Sequence, residues 1–215
     1  MTYEGIRLKI RNKVYLPLTA NYRKKLLKIT DFTIISNNCW GGTIYESYNL
    51  IKQSPTVGLF FVAEDYIKFV SQLEYYLNLE LKFISPEQTK WRDIVSKDSR
   101  FGKYPIGLLG DIEIHFLHYA DEKSAYEKWC RRCERINWNK LIIKFNDQNG
   151  CEEKHIAMFD KLQYKNKICF CVKDYPQYES VVKIKSRGSK KYVMASYEPI
   201  GNNRYFNVTD YINSI

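Results

Sequence analysis

Two hydrophobic rhythms take turns along this chain. Short apolar runs, rich in β-branched and aromatic residues and bounded by polar turns, occupy positions 32–36, 57–62, 79–83, 112–119, 141–145, 168–172 and 181–184. Each predicts a strand or a short buried extended segment. Between them the apolar positions recur at helical spacing. Over 64–77 they fall at Tyr66, Ile67, Val70, Leu73 and Leu77, one stripe of a helix. Residues 121–136 begin with Asp121 and Glu122 and end in a basic turn, as the helix macrodipole favours. Further helical segments are predicted at 13–29, entered through Pro17, and at 43–50, 152–162 and 208–213. Strands alternating with helices predict an α/β fold in three layers, a mostly parallel sheet with helices on both faces. No repeat, low-complexity tract or Pro/Gly linker divides the chain, so residues 1–215 read as a single α/β domain. Residues 85–105 interrupt the pattern. They are polar and irregular, with Trp91 and Phe101 as anchors, and read as a long loop or lid.

Charge narrows the choice of partner. A net charge of +10, from 34 Lys and Arg against 24 Asp and Glu, suits groups that carry phosphate or carboxylate. A phosphate-bearing, nucleotide-activated donor, an anionic polysaccharide and an anionic membrane face all fit, the last giving a peripheral place at the inner membrane. The basic residues cluster at Arg23-Lys24-Lys25, at Arg131, Arg132 and Arg135, and over 183–191. No helix-turn-helix, RNP or zinc-finger pattern accompanies them, so no specific nucleic acid is expected. No apolar run approaches the ~20 residues of a transmembrane helix. The start, Met1-Thr2-Tyr3-Glu4-Gly5, lacks the basic and apolar regions of a signal peptide, and a cytoplasmic location is expected. Six cysteines then fit reduced thiols better than a disulfide framework. Cys130 and Cys133 form C-x-x-C in a helical, basic stretch, and Cys169 and Cys171 form C-x-C in an apolar run. Neither pair has the turn chemistry of a zinc knuckle, so no metal is expected. The 18 Tyr, 11 Phe and 4 Trp suit stacking on sugars and equally a Tyr-rich core.

Candidate chemistry concentrates where the 32–36 run stops. Ile34-Ile35-Ser36-Asn37-Asn38-Cys39-Trp40-Gly41-Gly42 reads as strand, polar turn and helix start. Such a junction lifts backbone N–H groups and a side chain to the rim of a sheet. A thiol at a helix N-terminus feels the positive end of the macrodipole, which favours thiolate. A buried cysteine beside a tight turn is the alternative. Ligands of open α/β sheets bind outside the carboxyl ends of the strands. Ser36, Cys39, His118, Asp147 and Asp174 all follow predicted strands, and share one rim if those strands are parallel. Cys39 is then the candidate nucleophile with Ser36 in reserve, His118 the preferred base over His115, and Asp147 an orienting carboxylate. His115 shares a strand face with Glu113, and either pairs with it or packs between sheet and helix. Asp111 reads as a turn residue and His155 as a surface one. Asn37, Asn38, Trp40, Gly41, Gly42 and Glu113 would contact substrate. Arg131 and Arg135 share a helix face that would clamp a phosphate or carboxylate, or simply face solvent.

Several stretches together resemble one known family. They are Ser36-Asn-Asn-Cys-Trp-Gly-Gly, Ser54-Pro-Thr-Val-Gly-Leu-Phe, Asp65-Tyr-Ile-Lys-Phe, Tyr104-Pro-Ile-Gly, Ile112-Glu-Ile-His-Phe-Leu-His-Tyr, Lys128-Trp-Cys-Arg-Arg-Cys-Glu-Arg-Ile-Asn and Phe159-Asp. In them the chain is similar to a bacterial family known as a domain of unknown function and found in capsule, exopolysaccharide and lipopolysaccharide gene clusters. Some members bear the names exopolysaccharide biosynthesis protein or WbcI-like acetyltransferase. The resemblance covers nearly the whole chain. It implies a transferase of surface-polysaccharide biosynthesis with a sugar or polysaccharide precursor as partner. A fainter likeness is to papain-like bacterial proteins, whose early cysteine at a helix start and later histidine match the order of Cys39 and His118 or His115.

The expected activity is O-acetyl or O-acyl transfer to a sugar through a Cys39 thioester. No cofactor would be bound, and acetyl-CoA would be the co-substrate. His118 would deprotonate first the thiol and then the sugar hydroxyl, and N–H groups around Trp40 to Gly42 would hold the oxyanion. Three alternatives stand beside it. Ser36, Asn37, Asn38, Gly41 and Gly42 could cradle the phosphates of a nucleotide-activated donor, giving a glycosyl- or phosphotransferase. A non-enzymatic acidic-glycan binding module and a hydrolase of the papain kind are the others.

Overall fold

β-Branched and aromatic residues from four of the apolar runs pair side by side in the computed structural model, which describes residues 3–186 and 191–215. Met1, Thr2 and residues 187–190 of the 183–191 basic stretch lie outside the described residues. In chain order, α1 (Tyr3–Ile10) continues through a π-helical stretch (Arg11–Tyr15) into α2 (Leu16–Lys25). Then come β1 (Thr33–Ser36), α3 (Trp40–Ser47), α4 (Ala63–Ser71), α5 (Leu73–Leu77), β2 (Lys82–Ile84), α6 (Arg92–Val95), β3 (Ile106–Leu109) and β4 (Ile112–His115). The chain closes with α7 (Glu122–Cys133), β5 (Leu141–Asn146), α8 (Glu153–Asp160), β6 (Lys167–Cys171), β7 (Val181–Lys183) and α9 (Val208–Asn213).

Strands β1, β5, β6 and β7 form a parallel sheet in that order, with Ile35 opposite Ile143, Phe145 opposite Cys169 and Phe170 opposite Val182. The two-residue strand period sends Ile34, Ile142, Ile168 and Phe170 to one face, among Trp40, Ile44 and Tyr45 of α3 and Val208 and Ile212 of α9. Ile35, Ile143, Phe145 and Cys169 take the other face, among Tyr66 and Phe69 of α4, Trp129 of α7 and Phe159 of α8. Burial on both faces explains why these strands read as continuous apolar runs. The architecture is α/β in three layers, as the patterning predicts.

The 112–119 run departs from expectation. It ends as a strand at His115 and belongs to a separate antiparallel sheet, β2-β3-β4. The cause is local. Gly110, at φ +62°, and Asp111 close a hairpin between β3 and β4, whereas a parallel partner needs a crossover of roughly a dozen residues. The 57–62 run turns at Val57 and Gly58, the latter at φ +82°, and its remainder ties the two sheets together. Phe61 N–H donates to Asn37 O (3.0 Å), and Phe60 N–H to His115 O (2.9 Å). The helix predicted over 64–77 breaks at Gln72 (φ −138°, ψ 48°) into α4 and α5. Within 85–105 lie a 3₁₀ turn (Pro86–Gln88) and α6, and Trp91 donates its indole N–H to Asp65 Oδ2 (2.6 Å). His155 is buried, which corrects its expected surface position: Nδ1 accepts from Glu152 N–H (2.9 Å) and Nε2 lies 3.0 Å from Glu64 Oε2 on α4.

Candidate functional site

The carboxyl ends of β1 and β5 lie side by side, and a buried polar cluster fills the space beyond them. Asn37 donates its side-chain N–H to Asn146 Oδ1 (2.8 Å). Asn38 accepts from Trp40 N–H (3.0 Å) and donates to Glu198 Oε1 (3.1 Å). Lys144 rises from the middle of β5 with no exposed surface. Its three ammonium protons meet three acceptors: Glu198 Oε1 at 2.5 Å, Asn38 Oδ1 at 2.9 Å and Asn37 Oδ1 at 3.3 Å. Burial pushes the Glu198 carboxyl up and the Lys144 ammonium down, each opposed by attraction to the other. Among the described residues Glu198 Oε2 has no hydrogen-bond partner. The cluster holds the 193–201 segment across the sheet's edge, where Asn146 Nδ2 also donates to Val193 O (3.2 Å). Lys144 was a readable anomaly, a lysine inside an apolar run. Glu198 carries no comparable mark in the sequence.

Helix α3 begins earlier than the 43–50 prediction, which makes Cys39 its N-cap residue (φ −69°, ψ 0°). Both glycines lie inside its first turn for reasons of packing. A Cβ on Gly41 would stand 3.2 Å from Ile34 Cγ2, and one on Gly42 3.0 Å from Val57 Cγ1. Methyls there would press on Ile34 and Val57, so the glycines ease the close approach of the helix to the sheet and the 57–62 segment.

Half-buried Cys39 sits between two recesses. The first, about 170 Å³, is lined by Asn38, Phe60, Val95, Arg100, Leu117 and Ala195, among others. It matches in size the ~150 Å³ cavities that accept a benzene-sized group. The second, about 370 Å³, is lined by Thr43, Glu46, Lys52, Gly58 and His118, among others. Cys39 is the one residue common to both. Its thiol donates to Leu59 O at 3.9 Å. Over the first recess Arg100 forks onto Asp98, with Nε to Oδ1 at 3.0 Å and Nη2 to Oδ2 at 2.7 Å.

Electrostatics correct the expectation of a thiolate. Burial pushes the Cys39 thiol up to about 12, and the nearby Arg100 and Lys144 cations offset only part of this. Desolvation outweighs the helix terminus, and the resting thiol is protonated. His118 is exposed, faces the second recess with Cys39, and is held below the ordinary histidine range by desolvation first and the Arg100 cation second. It is therefore a neutral imidazole near pH 7, free to take a proton. His118 comes from beyond β4 of the antiparallel sheet. Its N–H donates to Gly58 O (3.0 Å), so the 57–62 segment, and not a shared parallel rim, brings it to the recess that Cys39 also lines.

The remaining predicted residues have other partners. Ser36 is buried with its hydroxyl donating to Asn38 O (2.8 Å), which leaves no outward nucleophile there. His115 is fully buried, stacked on Phe60 at 4.6 Å, and pushed down to about 3 by burial. It lines neither recess, and Glu113, on the same strand face, spends its carboxylate on Thr89 Oγ1 and Lys90 N–H. Asp147 accepts from Val193 N–H (2.6 Å) and Val172 N–H (2.7 Å), so both its oxygens orient backbone. Asp174 pairs with Lys183 at the surface, and Asp111 with Lys68 and Tyr76. Trp40 is buried, donates to Pro199 O (2.8 Å) and packs edge-on against Phe170, which removes its ring from any sugar. Arg131 and Arg135 are exposed on and just beyond α7 and line neither recess. The buried Arg132 between them donates to Val57 O (3.2 Å) and Tyr119 Oη (2.5 Å), bracing the 57–62 segment. Sequence reasoning grouped Arg132 with the surface cluster and missed Arg100 and Asp98.

The cysteine pairs do not converge. Cys130 and Cys133 are half-buried on α7, whereas Cys169 and Cys171 are buried on β6 with their sulfurs 3.6 Å apart. Among the described residues no group of three or more His, Cys, Asp or Glu is arranged to hold a metal ion. No helix among them is long and apolar enough to cross a membrane.

Comparison with known proteins covers the same span as this architecture. An uncharacterized protein of Haemophilus influenzae is 34% identical over 212 residues, which is 98% of this chain and 96% of that protein. Residues 10–215 match the family described as Domain of unknown function (DUF1919). That span takes in both sheets, the Lys144 cluster and both recesses beside Cys39, and the chain belongs to the DUF1919 family.

Proposed function

We propose that this protein is an acyltransferase of bacterial surface-polysaccharide assembly, moving an acyl group through Cys39 to a sugar hydroxyl. The observation that supports this most is the position of the thiol. Cys39 is shared by two recesses, and the second also holds a neutral imidazole, His118. A group bound on one side can be passed through sulfur to an acceptor on the other. The polysaccharide acceptor rests on the resemblance of those motifs to capsule and exopolysaccharide cluster proteins, and the net charge of +10 suits phosphate-bearing donors such as acetyl-CoA.

The chemistry follows from the protonation states. His118 takes the Cys39 proton as sulfur attacks the thioester carbonyl of the donor. The bond from that carbonyl to the donor's sulfur then breaks, and the imidazolium returns the proton to the departing thiolate. In the second half the sugar hydroxyl gives its proton to His118 and its oxygen attacks the Cys39 thioester. Cys39 leaves as thiolate and recovers the proton. The oxyanion of each step would be held by first-turn N–H groups of α3, which have no acceptor within the helix. Trp40 N–H is already taken by Asn38, so Gly41 and Gly42 are the donors we assign. The phosphate-cradle variant has less support, because Ser36, Asn37 and Asn38 spend their side chains inside the protein.

The test is mass spectrometry of the intact protein and its peptides after incubation with acetyl-CoA, beside a Cys39→Ala control. An acetyl group on Cys39 that hydroxylamine removes, absent from the control, is the expected result. A stable acetyl group elsewhere, or none under conditions where acetyl-CoA binds, rejects the thioester route.

A further inference from the structure

Residues 3–25 form one helix that uses its inner face and leaves its outer face bare. Inward, Leu16, Ala20 and Arg23 are buried against the body. Arg7 and Arg11 donate to Ser196 O (3.1 and 2.8 Å), and Arg23 to Ser47 O (3.1 Å). Outward stand Tyr3, Ile6, Ile10, Val14, Leu18 and Tyr22, from 45% exposed at Ile6 to 78% at Leu18. With Tyr15 and Leu26 they make up eight of the fourteen exposed large hydrophobics among the described residues. The apolar surface is thus concentrated on one helix, where isolated exposed residues would need no explanation.

The stripe is kept straight. From Ile6 to Tyr22 it advances four residues at a time, and in an α-helix each such step drifts by ~40° around the axis. Four steps would carry the stripe well round toward the docked side. The π-helical stretch Arg11–Tyr15 winds fewer degrees per residue and takes up that drift midway.

Charge decides what the stripe fits. Lys9 and Lys13 stand beside Ile10 and Val14, and Lys24, Lys25 and Lys28 extend the far end, all exposed. The sole acidic residue within 3–30 is Glu4. A second copy of this helix would set lysines against lysines. An anionic lipid surface meets the apolar stripe and the flanking cations together. We propose that this helix lies in the headgroup layer of an anionic membrane, parallel to the bilayer plane, with its apolar stripe in the acyl boundary. The lysine stems run along that boundary and lift their ammonium groups to the lipid phosphates. The helix, ~35 Å long, holds the protein at the surface. This inference stands apart from the acyl-transfer reading and does not depend on it.

Vesicle co-sedimentation tests it, with phosphatidylcholine vesicles against phosphatidylcholine vesicles containing phosphatidylglycerol. The full-length protein is expected in the pellet with the anionic vesicles, with binding weakened by salt, and in the supernatant with the neutral ones. Replacing Lys9 and Lys13 by Gln is expected to weaken partitioning about 30-fold. Leu18→Glu is expected to abolish it while circular dichroism and Tm stay unchanged, since Leu18 leaves no core contact behind. Three results overturn the proposal: no binding to anionic vesicles at low salt, binding that Leu18→Glu leaves intact, or a lipid-indifferent dimer that Leu18→Glu converts to monomer. The last would reassign the face to an interface between copies.

Discussion

Replacing Lys144 by Met is the most informative change to the fold around the candidate site. Met keeps roughly the length and volume of the lysine stem and removes the ammonium group, which lies 5.9 and 5.8 Å from the ring centroids of Trp40 and Phe170. Lys144 and Glu198 are both without exposed side-chain surface, at 2.5 Å, so the variant leaves a buried carboxylate with, among the described residues, Asn38 and Asn146 as donors. Breaking a buried pair from one side costs about 3–5 kcal/mol, or two to four decades in the unfolding constant. That is a large part of the ~5–15 kcal/mol that holds a domain folded. Urea unfolding at pH 8 measures it. The loss is expected to shrink at lower pH. Burial already raises the Glu198 carboxyl, and without Lys144 it rises further. Between the ordinary carboxylate value and the raised one, the folded variant binds a proton that the unfolded chain does not. Its stability therefore falls as pH climbs through that window and recovers as pH drops. The double variant Lys144→Met with Glu198→Gln should regain most of the loss, since no charge is then buried. Lys183→Met, which breaks the exposed pair with Asp174 at 3.1 Å, should cost well under ~1 kcal/mol. A single Lys144→Met cost as small as the surface control, or one independent of pH, would refute the reasoning.

Three further outcomes are expected. His118→Ala should leave the unfolding midpoint in place, because the side chain is exposed, and slow formation and discharge of the Cys39 adduct by about 10²–10⁴-fold in a single-turnover assay. His115, pushed from 6.5 down to about 3, binds a proton on unfolding through that window, so it lowers stability as pH falls. His115→Leu should flatten the acid side of the stability profile measured by thermal unfolding from pH 7 to pH 4, and an unchanged slope would show that another group carries it. Gly42→Ala should destabilise by about 1–3 kcal/mol in chemical denaturation, because the new methyl meets Val57 Cγ1 at 3.0 Å. Adding Val57→Ala should recover part of that loss if packing is the cause.

The sequence by itself determined the α/β class, the three layers and the extent of several elements. These are local properties: strand composition reports burial on two faces, and a helical stripe reports burial on one. Helix α9 (Val208–Asn213) falls where the pattern puts it, and Asp121 caps α7 by accepting from Ser124 N–H at 2.7 Å. The strand-turn-helix junction at Cys39 was legible for the same reason, whereas Lys144, a charge inside the 141–145 apolar run, is a signal the patterning passed over. Only the tertiary structure decided what those groups meet. Lys144 and Glu198 are 54 residues apart, and nothing in their spacing pairs them. The 112–119 run looked like another parallel strand until the Gly110-Asp111 hairpin turned it into a second sheet. That turn delivers His118 to the recess that Cys39 lines, by way of the 57–62 segment. The helix terminus promised a thiolate from local backbone alone, but the protonation of Cys39 depends on how much water the 57–62 segment and its other neighbours exclude. Desolvation is summed over every group that packs against an atom, and most of those groups are distant in the chain.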